Sequence, residues 1–316
     1  MASDLSPNPA DMPPSETLPP APAAAPNTIF YGPKGLRPVW RILIFLAICT
    51  ALFVGIGAIK PLQTFLRSLA PKNTLTPLST LVSEGISAAV VLIAAAIMTR
   101  IDKRTFADYG LPWNQAFGKR FWQGIPLGFA MLSVLLAAIW ALHGFSLAGL
   151  ALGGGAVVKY GLLWAIAFFL VGVFEDFSFR GYLQSALGEG IGFWPAALIL
   201  ALIFGALHLQ NSGEAIFGAA MAASFGLVSA FSLWRTGNLW LSFAMHASWD
   251  WGETYFYGVP DSGLSATGHL FNASFHGAKW LTGGTVGPEG SWLVFPVLGL
   301  WALAIQFLIP AKRPTT

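Results

Sequence analysis

Long apolar runs separated by short polar or aromatic connections set the pattern of this chain. Eight of them occupy residues 38–59, 78–99, 121–142, 160–187, 193–209, 214–234, 238–257 and 291–309. A helix needs about 20 mostly apolar residues to cross the hydrocarbon of a bilayer, so the runs predict an all-α, polytopic integral membrane protein with eight spans. Between them, Arg100 to Arg120 is polar and aromatic, and the connection from Gly258 to Gly290 is long, Gly-rich and carries His269 and His276. Residues 1–35 are dominated by Pro, Ala and Ser and read as a disordered cytoplasmic tail ahead of a transmembrane domain over 36–312. The tail has no basic stretch leading into a short apolar core, so the first helix is expected to remain in the mature protein.

Composition removes the soluble classes. The chain is 55% hydrophobic and only 10% charged, against roughly 25% charged in ordinary globular domains. Its net charge of +3 comes from basic residues that sit singly or in pairs at the ends of apolar runs, which is a topology signal and excludes a nucleic-acid partner. With the N-terminus in the cytoplasm, twelve Lys and Arg fall inside and five outside, the latter being Lys60, Arg67, Lys72, Lys159 and Lys279. The excess predicts both termini cytoplasmic, in a plasma (inner) membrane. The single cysteine, Cys49, excludes an internal disulfide and a cysteine-based metal knuckle.

Ionisable side chains inside a bilayer cost several kcal/mol, which marks those that remain as functional candidates. Three clusters qualify: Glu175-Asp176 with Arg180 in the fourth run, Phe204 with His208 in the fifth, and His246 with Asp250 in the seventh. Residues four apart share a helix face, so Asp176 can meet Arg180 and His246 can meet Asp250. That pairing leaves Glu175 as the free carboxylate. At a rise of 1.5 Å per residue, Glu175, His208 and His246 lie ~18, ~22 and ~12 Å from the expected cytoplasmic helix ends, depths that overlap within helix tilt. Three helices can thus aim them at one cavity, expected to be conical and open toward the cytoplasm.

At these residues the sequence resembles the CPBP (Abi) family of intramembrane proteases, whose eukaryotic branch includes the type II CAAX prenyl endopeptidase. The matching motifs are Glu175-Asp176-x-x-x-Arg180, continued by Gly181-Tyr182-Leu183-Gln184, then Phe204-x-x-x-His208 and His246-x-x-x-Asp250. Phe106-Ala107-Asp108-Tyr109-Gly110-Leu111 looks like the family's short segment before a spanning helix, so the resemblance covers about 100–257. Two positions depart from the pattern: Asp176 stands where Glu is commoner, and Asp250 where some members have Asn. An ionised Asp250 cannot donate a hydrogen bond to an oxyanion.

The resemblance implies a peptidase with catalytic residues Glu175, His208, His246 and Asp250, supported by Asp176, Arg180 and Phe204. Glu175 would be the base, assisted by His208, with His246 and Asp250 at the oxyanion, Arg180 holding Asp176, and Phe204 packing one turn before His208. The same Glu175, His208, His246 and Asp250 form an oxygen-and-nitrogen set suited to a divalent metal such as zinc, and a metal-free glutamate scheme uses them equally well. The implied substrate is a membrane-associated or prenylated (CAAX-type) peptide; membrane lipid is the other partner, and the oligomeric state stays open. Two further classes use the same residues, a proton-coupled transporter and a non-catalytic bacteriocin-immunity protein. Intramembrane His and acids also serve simple helix packing. Glu84 and His143 are given that role, Glu253 is given none, and His269 and His276 read as surface residues.

Overall fold

The computed structural model describes residues 28–33, 35–69, 74–211 and 216–312. Most of the tail expected over 1–35 lies outside the described residues; its last part is a hairpin, Tyr31–Gly32 (β1) antiparallel to Gly35–Leu36 (β2). From Pro38 onward the chain forms one helical body. Its helices are Pro38–Gly57 (α1), Lys60–Leu69 (α2), Pro77–Asp102 (α3), Lys119–Ala141 (α4), Gly155–Asp176 (α5), Gln184–Ile191 (α6), Phe193–His208 (α7), Ile216–Thr236 (α8), Leu239–Trp251 (α9), Lys279–Thr282 (α10) and Val294–Leu308 (α11).

The chain is a multi-pass, all-α membrane protein. Each of the eight apolar runs falls on a helix, and α1, α3, α4, α8 and the continuous stretch Gly155–Ile191 are long and apolar enough to cross a bilayer. Helices α7 and α11 are shorter, and α9 continues through a π-helical turn to Tyr257. Large apolar side chains stand outward on the periphery, among them Val54, Leu162, Leu202 and Phe307. Such a surface suits lipid and not water.

Helix α9 is the centre of the bundle. Every residue from Leu239 to Asp250 is buried, with α4, α5 and α8 packed around it. The closest approach is to α4 at Gly128, where a Cβ would lie 2.1 Å from the Met245 carbonyl oxygen and 2.3 Å from Ser248 Oγ. Only glycine admits that contact, and it holds the helix bearing His246 and Asp250 in place.

The two ends of the bundle differ. At one end the buried Arg41 binds Asp102 at 2.9 Å and Glu189 at 2.8 Å, Arg104 also binds Glu189, and the hydroxyls of Tyr109 and Tyr182 donate to Asp102 at 2.9 and 3.1 Å. This network ties α1, α3 and α6 together. Just beyond it, Thr105 donates its N–H (2.7 Å) and hydroxyl (2.8 Å) to Asp108, capping the turn Phe106–Tyr109. At the other end, Phe145–Leu150 (β4) pairs with Phe271–Phe275 (β6), and Thr74–Leu75 (β3) runs parallel to Ser265–Ala266 (β5). These short strands and the amphipathic α2 were not expected from the apolar pattern. They tie the long connection after α9 to the loops beside it.

Candidate active site

Helix α5 delivers Glu175 and Asp176 and then passes through a π-helical turn, Phe177–Leu183, into α6. A π turn carries an extra residue per turn and is found mostly at functional sites. Here it presents Arg180, whose Nη1 lies 3.2 Å from Asp176 Oδ1, with both side chains buried. The guanidinium also lies over the Phe204 ring, 4.1 Å from its centroid. Gly226 makes the room, since a Cβ there would stand 2.4 Å from Arg180 Nη2. Asp176 accepts a 2.8 Å hydrogen bond from the Ser242 hydroxyl, and Ser242 is in turn paired with Ser229 at 2.8 Å.

His246 stands between carboxylates. Its Nδ1 is 3.5 Å from Asp176 Oδ2, and its Nε2 is 3.7 Å from Glu175 Oε2 and 3.6 Å from Asp250 Oδ2. These separations are ion-pair distances and longer than hydrogen bonds. His208, at the end of α7, places Nδ1 2.8 Å from the Phe204 carbonyl oxygen. A carbonyl only accepts, so Nδ1 carries the proton and a neutral ring keeps Nε2 as an acceptor. The Phe204 ring meets the His208 ring edge-on at 4.5 Å.

Glu175, His208, His246 and Asp250 line one cavity of about 220 Å³. Among the described residues no ion pair joins His208 to Glu175; the imidazole within 4 Å of Glu175 is that of His246. Three acids without an expected site role border the same cavity, namely Glu84 from α3 and Asp261 and Glu289 from the connection after α9. No motif surrounds any of them, and chain separation hides their meeting from sequence reading. Burial and the Glu289 carboxylate beside it push Asp261 up to about 8.

The residues that line the cavity place it along the bundle. Its rim includes Leu75, Asn211, Ser262 and Leu264, all at the bundle end that carries the paired strands. A second cavity of about 480 Å³ enters from the opposite, Arg-rich end, bordered by Arg104, Glu189 and Lys312, and it reaches Arg180 without touching Glu175, His208, His246 or Asp250. The Asp176–Arg180 pair and Phe204 lie between the two. By helix parity the start of α1 and the end of α11 stand at the Arg-rich end, opposite the end on which Leu75, Asn211, Ser262 and Leu264 lie.

A metal fit can be tested on the same atoms. Zinc ligands at about 2.0–2.2 Å in a tetrahedron stand roughly 3.4 Å apart. His246 Nε2 comes near that spacing to Glu175 and to Asp250 separately. Among the described residues, however, the donors that gather in a group of three within 4.8 Å belong to Glu253, Asp261 and Glu289. As placed, the expected set does not close on one point.

Comparison with known proteins agrees with the motif reading. No curated protein matches the chain. Residues 157–252 match the model of a family described as type II CAAX prenyl endopeptidase Rce1-like. The matched stretch contains all three motifs and ends just after Asp250, so the acids supplied by Asp261 and Glu289 lie beyond it. Over residues 157–252, about a third of the chain, the sequence is therefore similar to the Rce1-like family of type II CAAX prenyl endopeptidases.

Proposed function

We propose that the chain hydrolyses a peptide bond of a membrane-associated substrate, of the prenylated CAAX class that the family's description names, with Glu175 as the base that activates water. The observation that carries this reading is the convergence of Glu175, His208, His246 and Asp250, from three separate helices, on one cavity. Among the described residues Glu175 has no arginine partner within ion-pair distance, whereas Asp176 has Arg180, and this leaves Glu175 as the acid placed to take a proton from water. His246 lies beside Glu175 and Asp250, so it can relay that proton toward the leaving amine. His208, with its proton on Nδ1 held by Phe204, offers Nε2 to orient the water. The oxyanion role expected of His246 and Asp250 falls to His246 alone when it bears the proton, since an ionised Asp250 has none to give.

Asp176, Arg180 and Phe204 position these groups. Asp176 aligns the His246 ring from Nδ1, the arrangement by which a carboxylate fixes an imidazole in acid–base sites. Zinc on Glu175, His208, His246 and Asp250 is the competing proposal, and it requires Glu175, Asp250 and His208 to converge with His246 on one point. The orientation proposed is the one the Lys and Arg distribution favours, with the Arg-rich end in the cytoplasm and the cavity reached from the other leaflet or laterally from the bilayer.

The test is a panel of fluorogenic peptides, prenylated and unprenylated, offered to purified protein in detergent, with Glu175→Gln and His208→Ala alongside and with and without a chelator. Cleavage of prenylated peptides that both variants lose supports the proposal, and loss on chelation shifts it to zinc. A folded native protein that cleaves none of them overturns it.

A further inference from the structure

The proposed peptidase leaves one buried group of acids without a task. Glu253, on the π-helical turn after α9, is wholly buried, and neither of its carboxylate oxygens has a hydrogen-bond partner. Asp261 and Glu289, also buried, come from the connection between α9 and α11. One carboxylate oxygen from each of the three lies within 4.8 Å of the others. Among the described residues, the groups donating to Asp261 and Glu289 are neutral. Thr254 Oγ1 donates to Asp261 at 3.0 Å, while Glu289 receives Trp249 Nε1 at 3.2 Å and the N–H and hydroxyl of Ser262 at 3.0 and 2.8 Å. Among the described residues no Lys or Arg forms an ion pair with any of the three acids.

Three carboxylates cannot share so small a buried volume as anions without a cation. We propose that Glu253, Asp261 and Glu289 bind a calcium ion that fastens the connection after α9 to the wall of the bundle. The choice of ion follows from size and hardness. Calcium takes oxygen ligands at about 2.3–2.6 Å, so it spans oxygens up to roughly 5 Å apart and accepts a cage made by the protein, whereas magnesium dehydrates reluctantly and is usually held by one or two carboxylates with its waters kept. An all-oxygen donor set disfavours zinc and copper. Thr254 and Ser262 supply hydroxyls at the edge of the group, toward the six to eight oxygens that calcium accepts.

The connection is held in the required shape by its backbone. Gly287 has φ +97°, and a Cβ there would stand 2.2 Å from the Pro260 carbonyl oxygen, so the strand leading to Glu289 lies directly on the one leading to Asp261. The site is distinct from Glu175 and His208, and it stands whether or not the chain proves to be a peptidase. Its cation would also border the cavity through Asp261 and Glu289.

The probe is calcium itself, titrated calorimetrically into the full chain in detergent after chelation, with terbium luminescence excited through tryptophan as the second readout. Trp249 donates to Glu289, which puts an indole against the ion. The expected result is one saturable site that terbium lights up and calcium competes for, with Glu253→Gln and Asp261→Asn each weakening binding at least about tenfold because ligand charge sets affinity. Glu175→Gln should leave it within about twofold, since that acid lies outside the set. Calcium should also raise the thermal midpoint of the native chain, a readout that needs no variant to fold. No saturable binding up to roughly 10 mM, well above the range of weak calcium modules, would overturn the proposal in favour of three acids sharing protons. Binding lost in Glu175→Gln but kept in Glu253→Gln would overturn it by moving the ion to the histidine cavity.

Discussion

Replacing Arg180 by methionine removes the cation from a pair that is almost fully enclosed. The side chains of Arg180 and Asp176 are 3% and 0% exposed at 3.2 Å separation, so Asp176 would stay buried with the Ser242 hydroxyl and, at 3.5 Å, His246 Nδ1 as its partners. Breaking a buried pair from one side costs about 3–5 kcal/mol, and a chain of this size shifts by about 2–4 °C for each kcal/mol. The expected loss is therefore about 6–20 °C in thermal midpoint, read in detergent at a fixed scan rate. The double variant Asp176→Asn/Arg180→Met should recover more than half of it, because removing both charges leaves no uncompensated ion. A single variant within about 2 °C of native, or a double variant that simply adds the two losses, would refute the reasoning.

Three further outcomes follow from the same contacts. Ser242→Ala deletes the 2.8 Å hydrogen bond to Asp176 and should cost about 1.5–3 kcal/mol, read as a lower midpoint. Gly128→Ala places a Cβ 2.1 Å from the Met245 carbonyl oxygen; α9 must shift, which should lower stability by about 1–3 kcal/mol and turnover with it, while Gly149→Ala, with nothing within 4 Å, should leave both unchanged. The N–H and hydroxyl of Thr105 hold the Asp108 carboxyl below its usual range. Its contribution is thus full above the unfolded value, about 3.9, and lost as pH falls through the lower folded value. Midpoints of the native chain and Asp108→Asn should converge as pH falls below about 4 and separate above it.

Much of this fold is visible in the apolar pattern because a bilayer leaves the chain few options: each run must be a helix. The i, i+4 spacing also puts Asp176 with Arg180 and His246 with Asp250, because both are local geometry. What escapes is non-local. Arg41 meets Asp102 and Glu189 across three helices, and nothing around Arg41 in the sequence announces it. Glu84 lies in a plain apolar run yet borders the cavity with Glu175. Asp261 and Glu289 sit in a Gly-rich connection that reads as an exposed loop, although its backbone folds back against the π-helical turn after α9. The π turns at Phe177–Leu183 and Gly252–Tyr257 change which face a residue shows by one position, and no propensity marks them.

The central claim is that Glu175 takes the proton of the attacking water. Its most direct test is steady-state cleavage of a farnesylated CAAX peptide by the native chain and by Glu175→Gln, with peptide binding measured separately on each. A general base contributes about 10²–10⁴-fold, so kcat should fall by that factor while binding changes by less than about threefold. Turnover by Glu175→Gln within about twofold of native would contradict the assignment.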